Sequence, residues 1–271
     1  MNPMSELASS SADTPALPLI TDFEAVPSIL LPREHLDRRL IVGFEGYDDR
    51  SRPFNLLRTR VAKTLKQRGW RMIGVTSATP AAGKTFNAVN LAAALSKLED
   101  QRILLCDFDL RRASILQMLG IGVPTAINEY LDGTIDDCGK AVYRINNGNL
   151  YIMPVNEVMR DSSETFASSR FLDIIARLRA MPDNCIVICD LPPVFANDDT
   201  MLCMEHLDGF LLVVDHGQTT ARQLEESIAL LRPTPCLGTI LNRYQGGFAD
   251  DYGYGYGDPY GLKSYGKRTS A

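Results

Sequence analysis

A chain of 271 residues, 45% hydrophobic and 23% charged, holds enough apolar material for one sizeable core. Its net charge of −5 excludes nucleic-acid binding through bulk positive charge, and no apolar run approaches the roughly 18 residues that span a bilayer. The first residues lack a charged-then-apolar leader pattern, so the expected compartment is the cytoplasm.

Residues 1–30 are rich in Ser, Ala and Pro and poor in aromatics, which predicts a flexible arm, here taken to run over 1–40. From there to residue 243 the chain reads as one folded domain. Phe54, Leu57, Val61 and Leu65 recur at helical spacing with basic residues between them. A strand is predicted at 72–77, then a loop, then a helix over 84–98. Further strand-sized apolar runs lie at 103–106, 150–153, 185–189, 210–214 and 237–241, with helical patterns at 169–179 and 221–231 between them. Short apolar strands alternating with helices predict an α/β fold: a mainly parallel, doubly wound sheet that binds its ligand at the carboxyl ends of the strands. Cys106, Cys185, Cys189 and Cys236 sit in or beside these runs and read as small buried hydrophobes. Residues 244–271 are rich in Gly and Tyr without a period and read as a tail.

The sharpest local signal is Ser77-Ala78-Thr79-Pro80-Ala81-Ala82-Gly83-Lys84-Thr85, which follows a strand and opens a helix. It keeps the Gly-Lys-Thr end of a Walker A loop and has Ala78 in place of the first glycine, a deviant form of the P-loop NTPase motif. The chemistry explains what is kept. Backbone N–H groups at a helix N-terminus converge on phosphate, Gly83 allows close approach, Lys84 reaches the outer phosphates, and the Thr85 hydroxyl ligates Mg²⁺. Residues Thr79, Pro80, Ala81, Ala82, Gly83, Lys84, Thr85 and Phe86 are therefore the expected ATP cradle. Two later strands end in carboxylates: Cys106-Asp107-Phe108-Asp109-Leu110-Arg111, and Cys189-Asp190-Leu191-Pro192-Pro193. A single strand-end aspartate serves equally well as a loop cap. Three strands that all finish in phosphate or metal chemistry point to a nucleotide site with Mg²⁺ near Thr85, Asp109 and Asp190 and with Lys84, Asp107, Asp109, Arg111 and Asp190 as catalytic candidates.

The order of these motifs resembles the Walker A, A′ and B set of the bacterial tyrosine kinases, over roughly residues 54–242. The resemblance extends to Ser163-Glu164 before a helix and to Thr239-Ile240-Leu241-Asn242-Arg243 after the last strand. Partition and cell-division ATPases share the fold but carry a signature lysine where this chain has Thr79. The resemblance implies that Asn242 and Arg243 border the adenine. It implies a tyrosine autokinase of capsule or exopolysaccharide export, working with a transmembrane co-polymerase or activator that recruits it to the inner membrane, with no nucleic-acid partner. Five of the ten tyrosines (Tyr252, Tyr254, Tyr256, Tyr260, Tyr265) lie in the last 20 residues, where even scatter would leave fewer than one. By the resemblance, these are the phospho-acceptors. The family's Glu-x-x-Arg-x-x-Arg motif, which builds a homo-oligomeric ring, aligns with Arg52, Asn55 and Arg58, and only the last matches. That departure keeps a second reading open, a nucleotide-dependent switch of the export machinery without kinase activity.

Overall fold

The computed structural model describes residues 16–46 and 48–244. Residues 1–15 and the five tail tyrosines lie outside the described residues. Eight strands form one sheet: β1 (Ser28–Ile29), β2 (Met72–Ser77), β3 (Arg102–Asp107), β4 (Tyr143–Ile145), β5 (Leu150–Met153), β6 (Cys185–Asp190), β7 (Gly209–Asp215) and β8 (Cys236–Asn242). Their order is β1-β4-β5-β3-β6-β2-β7-β8, parallel throughout except for the antiparallel β4–β5 pair. The α/β, mainly parallel sheet expected from the sequence is the one observed.

The helices are α1 (Arg33–Arg39), α2 (Arg52–Arg68), α3 (Lys84–Leu95), α4 (Ser114–Leu119), α5 (Ile127–Leu131), α6 (Ser162–Phe166), α7 (Ser169–Arg179), α8 (Asp199–Met204) and α9 (Ala221–Leu230). Their distribution follows from the period-2 alternation of the strands. In β3, Leu104 and Cys106 point into one core with Phe171, Ile174 and Leu178 of α7, whereas Ile103 and Leu105 point into the other with Val89 and Leu91 of α3. Strands buried on both faces read as continuous apolar runs, which is why they were legible without alternation. Helix α3 is buried over nearly its whole length, as its Ala- and Leu-rich sequence requires of a helix that is apolar all round.

Residues 16–40, assigned from composition to a flexible arm over 1–40, are instead part of the packed body. Leu19, Ile20 and Phe23 are buried in the α7-side core, and the Phe23 ring meets Tyr151 edge-on with centroids 5.2 Å apart. Strand β1 adds to the sheet edge beside β4, and His35 of α1 lies 3.1 Å from the Met118 carbonyl through Nε2. The apolar side chains in this stretch have no period, so only contacts with distant segments give them a place. Asn90 on α3 ties down the next few residues by accepting the N–H groups of Val42 and Gly43 at 2.8 and 2.9 Å.

Strand β6 lies between β3 and β2, so three strand ends come side by side. Asp107 is in register with Asp190, and Asp190 with Val75, two residues before the loop that begins at Ser77. The spacing of neighbouring strands, about 4.8 Å, thus sets the scale of the site.

Candidate active site

The loop 77–83 is held from three sides. Ser77 donates its hydroxyl to the Thr79 carbonyl at 2.8 Å, and the N–H groups of Val194 and Phe195 reach the carbonyls of Ser77 and Ala78. Asn242, at the end of β8, donates through Nδ2 to the Ala82 carbonyl at 2.8 Å. Ala81 and Gly83 both have positive φ, 64° and 90°. Positive φ at both positions curls the loop onto the start of α3, where the first N–H groups of a helix have no partner within it and suit an anion. Gly83 has no room for a side chain, because a Cβ there would sit 2.1 Å from Asn242 Nδ2.

Lys84 and the strand-end carboxylates meet directly. Lys84 Nζ lies 2.6 Å from Asp109 Oδ2 and 3.4 Å from Asp190 Oδ1, and Thr85 donates its hydroxyl to Asp190 Oδ2. Thr85 Oγ1 is also 3.0 Å from Ser114 Oγ, a neighbour the sequence did not single out. Asp107 is turned inward, and its two oxygens accept the N–H groups of Asp109 at 3.2 Å and Ile115 at 3.1 Å. It therefore shapes the loop after β3. Asp109 Oδ2 is different: its near neighbour is the Lys84 ammonium, so this buried oxygen is held by a cation rather than by backbone.

The electrostatics are those of too many anions for one cation. Burial raises the Asp107 pKa to about 8, and the Asp190 charge adds to the rise. Burial also raises Asp190, against the pull of Lys84. Burial disfavours the Lys84 ammonium, but Asp190 and Asp109 outweigh that and hold its pKa above the ordinary lysine value. The folded state therefore keeps a proton on Asp107 that the unfolded chain loses near pH 4, so stability falls as pH rises from about 4 to about 8. Thermal melts of the nucleotide-free protein should show this decline between pH 6 and 8.5. Asp107→Asn should flatten it, and an equal slope in the variant would assign the effect to other groups.

This donor set fits a divalent cation. A threonine hydroxyl beside the carboxylates of Asp109 and Asp190 is a set of hard oxygen ligands of the kind Mg²⁺ selects. Among the described residues no group of three or more His, Cys, Asp or Glu side chains is arranged to enclose a metal, and a Mg²⁺ shared with phosphate oxygens and water does not need one.

Of the remaining expected residues, Arg111 sits on the Asp109 side, where its Nε donates to Ser162 Oγ at 2.7 Å and approaches Asp199 Oδ2 at 3.3 Å. Arg243 pairs with Asp215 (Nη1 to Oδ2, 2.7 Å), and both line a polar cavity of about 780 Å³ with Thr79, Pro80, Ala81 and Gln218. Phe86 is turned away, edge-on to Phe54 with centroids 5.8 Å apart, into a separate groove of about 480 Å³ beside Leu57, Leu241 and Asn242. Asp215 ends β7 as the other carboxylates end their strands, so the same rule would have found it. Ser162 and Asp199 carried no spacing signal.

No family model matches the chain. The tyrosine-protein kinase Wzc of Salmonella typhimurium is 30% identical over 205 residues, 73% of this chain and 28% of Wzc. The BceF tyrosine kinase domain superposes with a TM-score of 0.65 at 26% identity, covering 80% of this chain and 90% of that one. The chain is a relative of the bacterial tyrosine kinases. A more distant likeness, to the septum site-determining protein MinD complexed with Mg-ADP from Pyrococcus horikoshii, has a TM-score of 0.54 at 26% identity and covers 64% of this chain and 70% of that one. The kinase likeness expected from the three motifs is thus borne out, and so is the P-loop ATPase fold. The chain spans only about a quarter of the length of Wzc, so it corresponds to one region of that kinase.

Proposed function

We propose that this chain is an ATP- and Mg²⁺-dependent protein-tyrosine kinase that phosphorylates its own C-terminal tyrosine cluster, Tyr252 to Tyr265, within a capsule or exopolysaccharide export system. The observation that carries the proposal is the convergence of Lys84, Thr85, Asp109 and Asp190 at adjoining strand ends, beside the loop 77–83 that opens α3. The triphosphate would lie over the start of α3, with Lys84 on its outer phosphates. Thr85 and Asp190, with Asp109, are the residues that would hold Mg²⁺, and the ion would neutralise charge on the transferring phosphate. Asn242 and Arg243 would border the base, with the polar cavity beside Thr79 to Ala81 open to it.

In the reaction, a tyrosine oxygen bonds to the γ-phosphorus as the bond to the β–γ bridging oxygen breaks, and ADP leaves. The phenolic proton passes to a strand-end carboxylate, for which Asp109 is better placed than Asp107, whose two oxygens are both engaged by backbone. Arg111 adds positive charge on the same side. Among the described residues no helix is long and apolar enough to cross a membrane, and a transmembrane co-polymerase would bring the kinase to the inner membrane.

The test is to incubate the purified protein with ATP and Mg²⁺, with and without the cytoplasmic segment of such a partner, and to map phosphotyrosine by mass spectrometry. Phosphate on Tyr252 to Tyr265 is the expected result. ATP binding with no modified tyrosine in either condition would replace the proposal with a nucleotide switch, which the altered positions Arg52 and Asn55 on α2 would then explain.

A further inference from the structure

Asp199, the first residue of α8, is a carboxylate with no exposed surface and an unusual number of donors. Its Oδ2 accepts from Ser162 Oγ and Asn197 Nδ2, each at 2.6 Å, and lies 3.3 Å from Arg111 Nε; its Oδ1 accepts from Ser163 Oγ at 2.7 Å. Ser162 Oγ in turn accepts from Arg111 Nε at 2.7 Å, so the arginine is held by a carboxylate and by a hydroxyl that the same carboxylate orients. Three segments far apart in sequence meet here: the loop after β3, the start of α6 and the start of α8. The anion at their centre is fully buried. The Arg111 side chain is 46% exposed, and its terminal nitrogens make no hydrogen bond to the described residues.

That division suggests a tether. Nε is the inner end of a guanidinium, and fixing it leaves the two outer nitrogens aimed as a fork, the arrangement suited to phosphate oxygens. Arg111 follows Asp109 by two residues, and Asp109 touches the Lys84 ammonium, so the fork belongs to the outer-phosphate side of the site. We propose that Asp199 is a positioning residue which, through Ser162, holds Arg111 toward the γ-phosphate and thereby makes the site prefer a triphosphate to a diphosphate nucleotide. The proposal rests on the nucleotide-site reading above. It goes further by assigning a role to a carboxylate outside the three motifs.

A purely structural role for Asp199 predicts a different result from a positioning one. Affinities for ADP and for the β,γ-imido analogue of ATP, measured by calorimetry with Mg²⁺ on the whole chain, separate the two. Asp199→Asn should weaken the analogue roughly ten- to a hundred-fold, the range for losing one charge-assisted contact, and leave ADP unchanged. Arg111→Ala should do the same, and the double variant should be no weaker than Arg111→Ala alone, because both changes remove one interaction. Equal weakening of both nucleotides, or additive losses in the double variant, would overturn the proposal. Should Asp199→Asn fail to fold, Ser162→Ala cuts the link more gently: a smaller loss confined to the triphosphate supports the tether, and an unchanged ratio rejects it. These readouts do not depend on tyrosine chemistry. A wild-type protein that shows the preference but no phosphotyrosine would refute the kinase reading and leave this one standing.

Discussion

Replacing Lys84 with methionine should abolish the proposed tail phosphorylation and make the protein's stability more dependent on pH. The first effect follows from position: among the described residues the ammonium is the cation paired with Asp109 and Asp190, and it opens the helix on which the phosphates would rest. Losing a preorganised charge at a transferring group costs at least about 10²–10³-fold in rate. The second effect is less obvious. Methionine fills much of the lysine volume but leaves the buried carboxylates unpaired, and breaking such a pair costs about 3–5 kcal/mol when the remaining charge cannot escape. Here it can escape in part, because the pKa values of Asp107 and Asp190 are already raised and will rise further without the ammonium. The variant should therefore melt close to wild type near pH 6 and well below it near pH 8. Persistent full phosphorylation would remove Lys84 from the mechanism. A melting difference that is the same at both pH values would show that the carboxylates do not carry the effect.

Gly83→Ala should cost nearly as much through the backbone. At φ 90° an L-residue is strained by about 1–3 kcal/mol, and the added methyl would meet Asn242 Nδ2, which is itself bonded to the Ala82 carbonyl. The loop and Asn242 must then move apart, which on the proposed reading disturbs the phosphate and base sides together. A shift of about 1 Å at such a site lowers the rate about 10²-fold, so ATP turnover and ATP affinity should both fall. Adding Asn242→Ala should recover part of the stability, by removing the collision, and little of the activity, since the strain and the lost bond to Ala82 remain. Wild-type ATP affinity in Gly83→Ala would show that the crowding is harmless.

The sequence made the sheet and the nucleotide motifs legible because both are local. Buried parallel strands are short apolar runs, and 72–77, 150–153 and the helix 169–179 were placed to the residue. The phosphate loop and the carboxylates at 107, 109 and 190 also announce themselves within a few residues. What failed was long-range. Strands β1 and β4 have two and three residues and become strands only by pairing with each other and with β5. Leu19, Ile20 and Phe23 sit among prolines and serines and gain a role only from a core assembled elsewhere. The Arg111–Ser162–Asp199 tether was invisible for the same reason, since its members recur with no period and share no segment. Asp107 was legible as a site residue, but not as one whose oxygens are turned to backbone, because direction depends on the turn that follows β3.

The position of β6 between β2 and β3 also bears on how the protein is made. Lys84 precedes β6 by about 100 residues and Asp109 by about 75, and the strands that carry their segments, β2 and β3, do not pair with each other: each pairs with β6, which lies between them. A ribosome adding about 5–20 residues per second leaves an interval of several seconds in which the phosphate loop has emerged and its metal-side carboxylate has not. Nascent chains would thus pass through that interval unable to complete the nucleotide site, and binding of Mg·ATP would report the arrival of β6.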